Sequence, residues 1–167
     1  MTAKDEQGYT LTELLVVITL LGILSTVTMT SYSGALGDIK LDAAAREIQA
    51  ALRYAQNQSL KYDVQSGGKY GVWFSVSGNW FQCIKNNGTP TPDGVVHPVD
   101  KKPFQVDFDN VGYFQGITLV TVSLDVNDQI YFDKRGTPSV VGSVTIRFAG
   151  EQRTVTVSSP TGMVTIS

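Results

Sequence analysis

The chain has 167 residues, enough for about one domain, and its composition is typical of a folded globular protein. Thirteen lysine and arginine residues against 15 aspartate and glutamate residues give a net charge of −2. This near-neutral balance excludes a strong overall attraction to DNA or to acidic lipid. The single cysteine, Cys83, excludes an intrachain disulfide and a cysteine-based metal cluster.

The amino terminus has a short polar leader, then Gly8-Tyr9, then an apolar run from Leu11 to Met29. This run is about 19 residues long, close to the length that spans a bilayer. Its one charged residue is Glu13, near its start. A carboxylate in such a segment is costly and usually has a function.

A plain transmembrane helix and a secretory signal peptide are two ordinary interpretations of this terminus. The hydroxyl residues between Ser25 and Thr30 weaken the second half of a membrane span. For a signal peptide, Lys4 is offset by two acidic neighbours and Glu13 interrupts the hydrophobic region. The small residues after Leu24 still offer a signal-peptidase site, so both alternatives stay open on these residues alone.

A third interpretation comes from a resemblance to the processing motif of type IV pilins and type II secretion pseudopilins. The segment that carries it is Gly8-Tyr9-Thr10-Leu11-Thr12-Glu13-Leu14-Leu15-Val16-Val17-Ile18. The resemblance implies cleavage between Gly8 and Tyr9 and N-methylation of Tyr9 by the same membrane peptidase. The apolar segment then stays on the mature protein as membrane anchor and assembly helix. Tyr9 replaces the usual Phe, Thr12 replaces a larger aliphatic residue, and the leader is less basic than usual.

The same resemblance implies an assembly role for Glu13. A buried carboxylate and a buried ammonium each require an opposite charge. The family's solution is a pair between this glutamate and the amino terminus of a neighbouring subunit, which sets the axial register. The alternative is that Glu13 only reaches toward the lipid headgroups. We favour pairing, because the processing motif accompanies the glutamate.

After Thr30 the pattern becomes amphipathic, with apolar residues recurring at helical spacing up to Leu60. Alanine is dense from Ala43 to Ala55, which favours helix and close packing. One helix is therefore predicted from about Thr10 to Lys61.

After Asp63 the pattern changes from helix to strand, with a break at Ser66-Gly67-Gly68. A hairpin with a turn at Ser77-Gly78-Asn79, a long irregular loop from Asn86 to Pro103 and a final pair of hairpins are predicted. The predicted strands are Tyr70–Val76, Trp80–Ile84, Phe104–Phe108, Ile117–Ser123, Gln129–Phe132, Val144–Phe148, Thr154–Val157 and Met163–Ile166, with turns at Gly150-Glu151-Gln152 and Thr161-Gly162.

The predicted fold class is therefore α+β, with a long amino-terminal helix packed on an antiparallel, β-rich carboxy-terminal domain. Residues 1–8 are the predicted leader and 9–30 the transmembrane and assembly helix. Residues 31–62 continue this helix in amphipathic form, and 63–167 form the periplasmic β-domain.

Three later segments resemble the GspH/FimT class of minor pseudopilins and minor pilins: Ala51–Gln56, Ile130–Gly136 and Val155–Gly162. Their order covers nearly the whole chain. Where the family often has arginine after Tyr-Ala, this chain has Gln56. Some pilus members bind DNA through an arginine-bearing final hairpin. The stretch Gly162–Ile166 has no basic residue here, so DNA binding is not transferred.

No catalytic, cofactor-binding or metal-binding residue is predicted. His97 is the only histidine, and a catalytic dyad with Cys83 would lack a third residue to orient it. His97 is better interpreted as a surface loop residue, and Cys83 as a small buried hydrophobic residue. The segment Asp125–Asp128 lacks the glycine and distal glutamate of a calcium loop and is interpreted as a turn. The basic pairs Lys101-Lys102 and Lys134-Arg135 are interpreted as solvated turns.

Two functions remain open at this point. The first is a structural subunit: a minor pseudopilin of a type II secretion system or, alternatively, a minor pilin of a type IV pilus. Its expected partners are homologous subunits, the prepilin peptidase and N-methyltransferase, and the inner membrane, crossed once with the β-domain in the periplasm. The second is a tip module that contacts DNA or a secreted substrate through loops such as 86–103; nucleic acid is the less expected partner.

Overall fold

The computed structural model describes residues 10–62, 69–87, 91–97, 101–125 and 127–167, with the backbone alone at positions 27–35. The predicted leader, Tyr9 and the predicted break at 66–68 lie outside the described residues, as does part of the predicted segment 9–30. The chain divides into two compact units, one ending at Gly37 and the other running from Asp38 to Ser167.

Helix α1 runs from Leu11 to Lys61, which confirms the predicted bounds to within one residue. Its last turn contains Lys61, whose positive charge is favourable beside the carbonyl groups at a helix carboxyl end. The second unit contains the part of α1 that follows Gly37. There a set of side chains spaced three and four residues apart is at most 1% exposed: Leu41, Ala44, Ala45, Ile48, Ala51, Leu52 and Ala55.

Two antiparallel sheets form the rest of the second unit. The first contains β1 (Lys69–Ser75), β2 (Trp80–Asn86), β3 (Asp93–Gly94), β4 (Gln105–Asp107) and β6 (Gln129–Phe132). Its order is β3-β2-β1-β6, and β4 also pairs with β2. The second contains β5 (Thr118–Ser123), β7 (Gly142–Phe148), β8 (Glu151–Ser158) and β9 (Met163–Ile166), in the order β5-β7-β8-β9. The buried face of α1 and the inner residues of both sheets form one hydrophobic core. The predicted α+β class is confirmed.

Two details differ from the predicted strands. The loop predicted as irregular contains β3, which pairs with β2 through Ile84 and Lys85. Two residues are too few to leave an alternating pattern in the sequence.

The turn between β7 and β8 is Ala149-Gly150, both at positive φ, so Glu151 and Gln152 belong to β8. Such two-residue turns match the twist of the strands that they join.

Asn79 links the two sheets. It lies at positive φ in the β1–β2 turn, and its side chain is buried. Its amide donates to the carbonyl oxygen of Ile117 (2.8 Å) and accepts from the backbone N–H of Leu119 (2.9 Å), at the start of β5. A turn residue of one sheet thus caps the edge of the other.

Candidate functional site

Glu13 lies in the first turn of α1, with its side chain exposed. Its backbone N–H donates to the carbonyl oxygen of Thr10 (3.1 Å) and to the Thr10 hydroxyl (3.3 Å). Thr10 is therefore the amino-terminal cap of α1. A carboxylate at this position is also favourable, because the unpaired N–H groups of a helix start carry partial positive charge.

The capping role of Thr10 was not predicted from the sequence. Thr-x-x-Glu before an apolar run is the signal of a capping box, and Thr10 and Glu13 have this spacing. Glu13 consequently has a local role at the helix start in addition to the predicted role in assembly.

The helix surface that follows Glu13 is apolar on every side. Ten large side chains between Leu11 and Leu24 are 49–83% exposed: Leu11, Leu14, Leu15, Val16, Val17, Ile18, Leu20, Leu21, Ile23 and Leu24. A helix that is hydrophobic all round is normally covered by other helices or by lipid.

Three hydroxyl side chains in this segment bond to the helix that carries them. The hydroxyls of Thr19, Ser25 and Thr26 donate to carbonyl oxygens three or four residues earlier, at 2.7–3.0 Å. These bonds satisfy the donors without water. Ser25 and Thr26 belong to the hydroxyl residues that weaken the apolar character of the sequence, and their bonds lower the cost of placing them in an apolar environment; the side chains from position 27 to 35 lie outside the described part of the chain.

Over the part of the chain that is described, no helix has both the length and the apolar character needed to cross a membrane.

In the second unit, the three segments that resemble the GspH/FimT class meet at one junction. The side-chain amide of Gln56 donates to the carbonyl oxygen of Gly136 (2.8 Å) and to that of Thr161 (3.0 Å). Gly136 lies in the turn after β6, and Thr161 lies in the turn between β8 and β9. One side chain of α1 thus holds a turn from each sheet.

Two buried glycines make this junction possible. Gly136 and Gly162 have φ of 77° and 65°, a region that side chains rarely adopt. A Cβ on Gly162 would lie 2.6 Å from both the Gln56 amide nitrogen and the Gly136 carbonyl oxygen. The close approach of the three segments therefore requires a glycine here.

The Asp133 carboxylate shapes the turn that contains Gly136. It accepts hydrogen bonds from the backbone N–H groups of Arg135 and Thr137, each at 2.8 Å. The bond from Thr137 contributes most to holding the pKa of Asp133 below its ordinary value, and the Arg135 backbone bond and charge add to it. This carboxylate organises a turn, and its adjacent pair Lys134-Arg135 is exposed as predicted.

The predicted buried position of Cys83 is confirmed. Its side chain is 1% exposed, and the thiol lies 3.8 Å from the carbonyl oxygen of Ala51. Burial, with a smaller effect from the Glu47 carboxylate, raises the pKa of Cys83 far above its ordinary value. The thiol is therefore held in its protonated, unreactive form.

His97 lies in a loop, as predicted, and is half-buried because its ring packs edge-on against Phe104 at 4.9 Å. It lines a shallow cleft of about 180 Å³ together with Glu47. The Asp128 N–H donates to the Asp125 carbonyl oxygen (2.9 Å), a bond that agrees with the turn predicted here. Within the described ranges, no group of histidine, cysteine and acidic side chains could hold a metal ion.

Comparison with known proteins agrees with both parts of this arrangement. The family model described as the prokaryotic N-terminal methylation motif matches residues 3–29. The model described as type II transport protein GspH matches residues 44–162, well over half of the chain. The first match identifies the class: prokaryotic proteins that carry an N-terminal methylation motif. The second match covers most of the chain, and the chain therefore belongs to the family described as type II transport protein GspH.

Two relatives illustrate the similarity. The type II secretion system protein H of Aeromonas hydrophila is 39% identical over 72 residues, which is 43% of this chain and 37% of that protein. The match thus spans little more than a third of that relative's length. The minor pseudopilin EpsH from the type 2 secretion system of Vibrio cholerae has a similar fold, with a TM-score of 0.56. It is 15% identical, and the similarity covers 77% of this chain and 96% of that one.

Proposed function

We propose that this chain is a structural subunit of a type II secretion pseudopilus, without catalytic activity, that assembles with other pseudopilins through α1. Cleavage after Gly8 and N-methylation of Tyr9 by the prepilin peptidase precede assembly. The segment 9–30 anchors the precursor in the inner membrane, and the β-domain lies in the periplasm. The observation that carries this proposal is the all-round apolar surface between Leu11 and Leu24, with one carboxylate at its start.

The energetic argument concerns this exposed surface. Ten large apolar side chains, each about half exposed or more, are unfavourable in water. Burying such a side chain fully stabilises a protein by about 1.5–3 kcal/mol. Lipid buries these side chains before assembly, and neighbouring helices bury them after assembly. The helix can therefore pass from the membrane into the filament without exposing its apolar surface to water.

Apolar packing alone does not determine the axial register of two neighbouring helices. A single carboxylate in an apolar surface determines this register, because a desolvated carboxylate is stable only beside a positive group. In the processed chain, the α-amino group of Tyr9 is such a group. Glu13 of one subunit and Tyr9 of the next therefore form the pair that sets the register.

The experiment must separate this pairing from the capping role of Glu13. Glu13→Gln keeps a side chain that suits the third helical position of a capping box but removes the charge. Thr10→Ala removes the cap and keeps the charge. Both variants are expressed with the other pseudopilins; processing is measured by the mass of the mature chain and assembly by co-purification.

We expect both variants to be cleaved and methylated, and only Glu13→Gln to lose co-purification, by about tenfold or more. Normal assembly of Glu13→Gln together with loss in Thr10→Ala would assign Glu13 to capping alone and refute the pairing. If the mass of the wild-type chain shows that residues 1–8 are still attached in assembled pseudopili, the whole proposal is refuted.

A further inference from the structure

The outer face of the first sheet has an unusual set of side chains. Val72, Phe74 and Phe81 point into the core beside α1, so the alternate residues of β1 and β2 point the other way. We call this outer surface the tryptophan face; it is defined by Trp73, Trp80, Gln82, Gln105, Gln129 and Tyr131.

The strand register places amides on both sides of one indole. Trp73 pairs with Gln129 on β6 and with Gln82 on β2, and Gln82 pairs with Gln105 on β4. The four side chains thus form one row across four strands. At about 4.8 Å between strands, the row is about 14 Å long.

The aromatic rings lie against bare backbone. The Tyr131 ring covers Gly71, where a Cβ would be 2.7 Å from a ring carbon. Trp80 covers Gly78 in the same way, with the indole nitrogen close to where a Cβ would lie and the adjacent ring carbon at 2.6 Å from it. The Trp73 and Trp80 rings meet edge to face at 5.2 Å. The rings are therefore held in fixed positions on the sheet while remaining partly exposed.

The six residues that define the tryptophan face are uncharged. Each glutamine amide both donates and accepts, and the Tyr131 hydroxyl donates to the Gln129 amide oxygen at 2.7 Å, which orients this amide. Charged side chains lie only around these six residues: Lys69 starts β1 on the same side of the sheet, and Asp107 lies at the edge on β4. Burial and, to a smaller extent, the nearby Asp125 carboxylate raise the pKa of Tyr131.

We propose that the tryptophan face binds a neutral, extended glycan strand. Sugar rings present C–H faces that stack on aromatic rings, and their hydroxyls require partners that donate and accept, which amides do. A nucleic acid strand would require basic side chains along the same rows. A protein interface is also rich in aromatic residues. The row of amides beside the rings is what favours a glycan, and the experiment below includes a protein partner as the competing outcome. This binding is independent of the assembly role proposed above.

The chain supplies its own probe for this proposal. Trp73 and Trp80 are its only two tryptophans, so a change in tryptophan emission reports on this face. The full-length protein in detergent is titrated with chitohexaose and cellohexaose, and maltohexaose is the comparison for a chain that is not extended. We expect a saturable emission change with one or both of the extended oligosaccharides and a weaker one with maltohexaose.

Trp73→Ala keeps Trp80 as the reporter and removes the central ring. We expect it to weaken binding by about tenfold or more, as for other aromatic anchors. Trp73→Phe, which keeps a ring and the sheet packing, is expected to lose less. Tyr113→Ala removes an aromatic side chain that is 58% exposed elsewhere in the second unit and is expected to bind as the wild type does.

Circular dichroism of each variant confirms that the sheet is intact. The proposal fails if millimolar oligosaccharide leaves the emission unchanged, or if folded Trp73→Ala binds as tightly as wild type. An emission change caused by another pseudopilin subunit, with none caused by any oligosaccharide, would overturn the glycan and assign the face to protein contact.

Discussion

The side-chain amide of Gln56 donates a hydrogen bond to the backbone carbonyl of Gly136 at 2.8 Å, across 80 residues of sequence. The same nitrogen donates to Thr161, 105 residues away. Helix α1, the turn after β6 and the turn between β8 and β9 are thus joined through one amide. The bond to Gly136 is part-buried, so this carbonyl depends on the amide, whereas the bond to Thr161 lies at the surface.

Replacing Gln56 with leucine should destabilise the second unit. The change keeps the size of the side chain but leaves two carbonyl oxygens without this donor, at a cost of about 1–3 kcal/mol. The free energy of unfolding is measured by urea titration, with tryptophan emission as the signal. Asn57→Ala, an exposed neighbour on α1, should change it by less than about 0.5 kcal/mol.

Gln56→Arg completes this comparison. Arginine carries several donors and is what the resemblance leads one to expect at this position, so it should retain most of the stability that leucine loses. Equal losses in the leucine and arginine variants would show that shape, and not hydrogen bonding, decides the junction.

Gly162→Ala should be the most disruptive small substitution near this junction. Both positive φ and space oppose it, because the added Cβ would lie 2.6 Å from the Gly136 carbonyl oxygen. Gly150→Ala is the matched control, with φ of 94° and no atom within 4 Å of the added Cβ. The control should lose about 1–2 kcal/mol from backbone strain alone, and Gly162→Ala should lose clearly more. Equal melting temperatures of the two variants would contradict the packing argument.

Acid should weaken the turn that contains Asp133. Because folding lowers the pKa of Asp133 below its ordinary value of 3.8, the stabilisation is complete above that value and disappears as the pH falls through the lowered pKa. Asp133→Asn should melt at a lower temperature at pH 7 and show a smaller drop between pH 4 and pH 2, read from the melting temperature. Asp107, whose pKa is lowered mainly by its bond from Asn110, keeps part of the acid dependence in this variant. Identical pH profiles in wild type and variant would refute the role of Asp133.

The Cys83 thiol should be inert in the folded protein. Its burial prevents access, and its raised pKa keeps the thiolate form scarce at neutral pH. An aromatic disulfide reagent should react with it only at the rate of unfolding, and at once in concentrated urea. Fast stoichiometric labelling of the native protein would contradict the burial.

The helix and most strands could be predicted because their signals are local. Apolar spacing predicted α1 to within one residue, and alternation predicted seven of the eight longer strands closely. The division into two sheets could not be predicted, since nothing in the alternation of Leu119 or Ile130 indicates which strands they join. The Gln56 junction left no pattern for the same reason: its partners lie far away in the sequence. The resemblance to the GspH/FimT class picked out the three segments of this junction, but only the structure shows that they contact one another.

The bonds from Thr19, Ser25 and Thr26 to their own helix have a consequence for how subunits choose one another. Hydroxyls that point at a neighbour would discriminate between one neighbouring helix and another. Here their protons are already donated within the helix, so we expect the stretch between Leu14 and Thr26 to discriminate little between similar neighbouring helices. We therefore expect most of the discrimination between neighbouring subunits to come from the second unit.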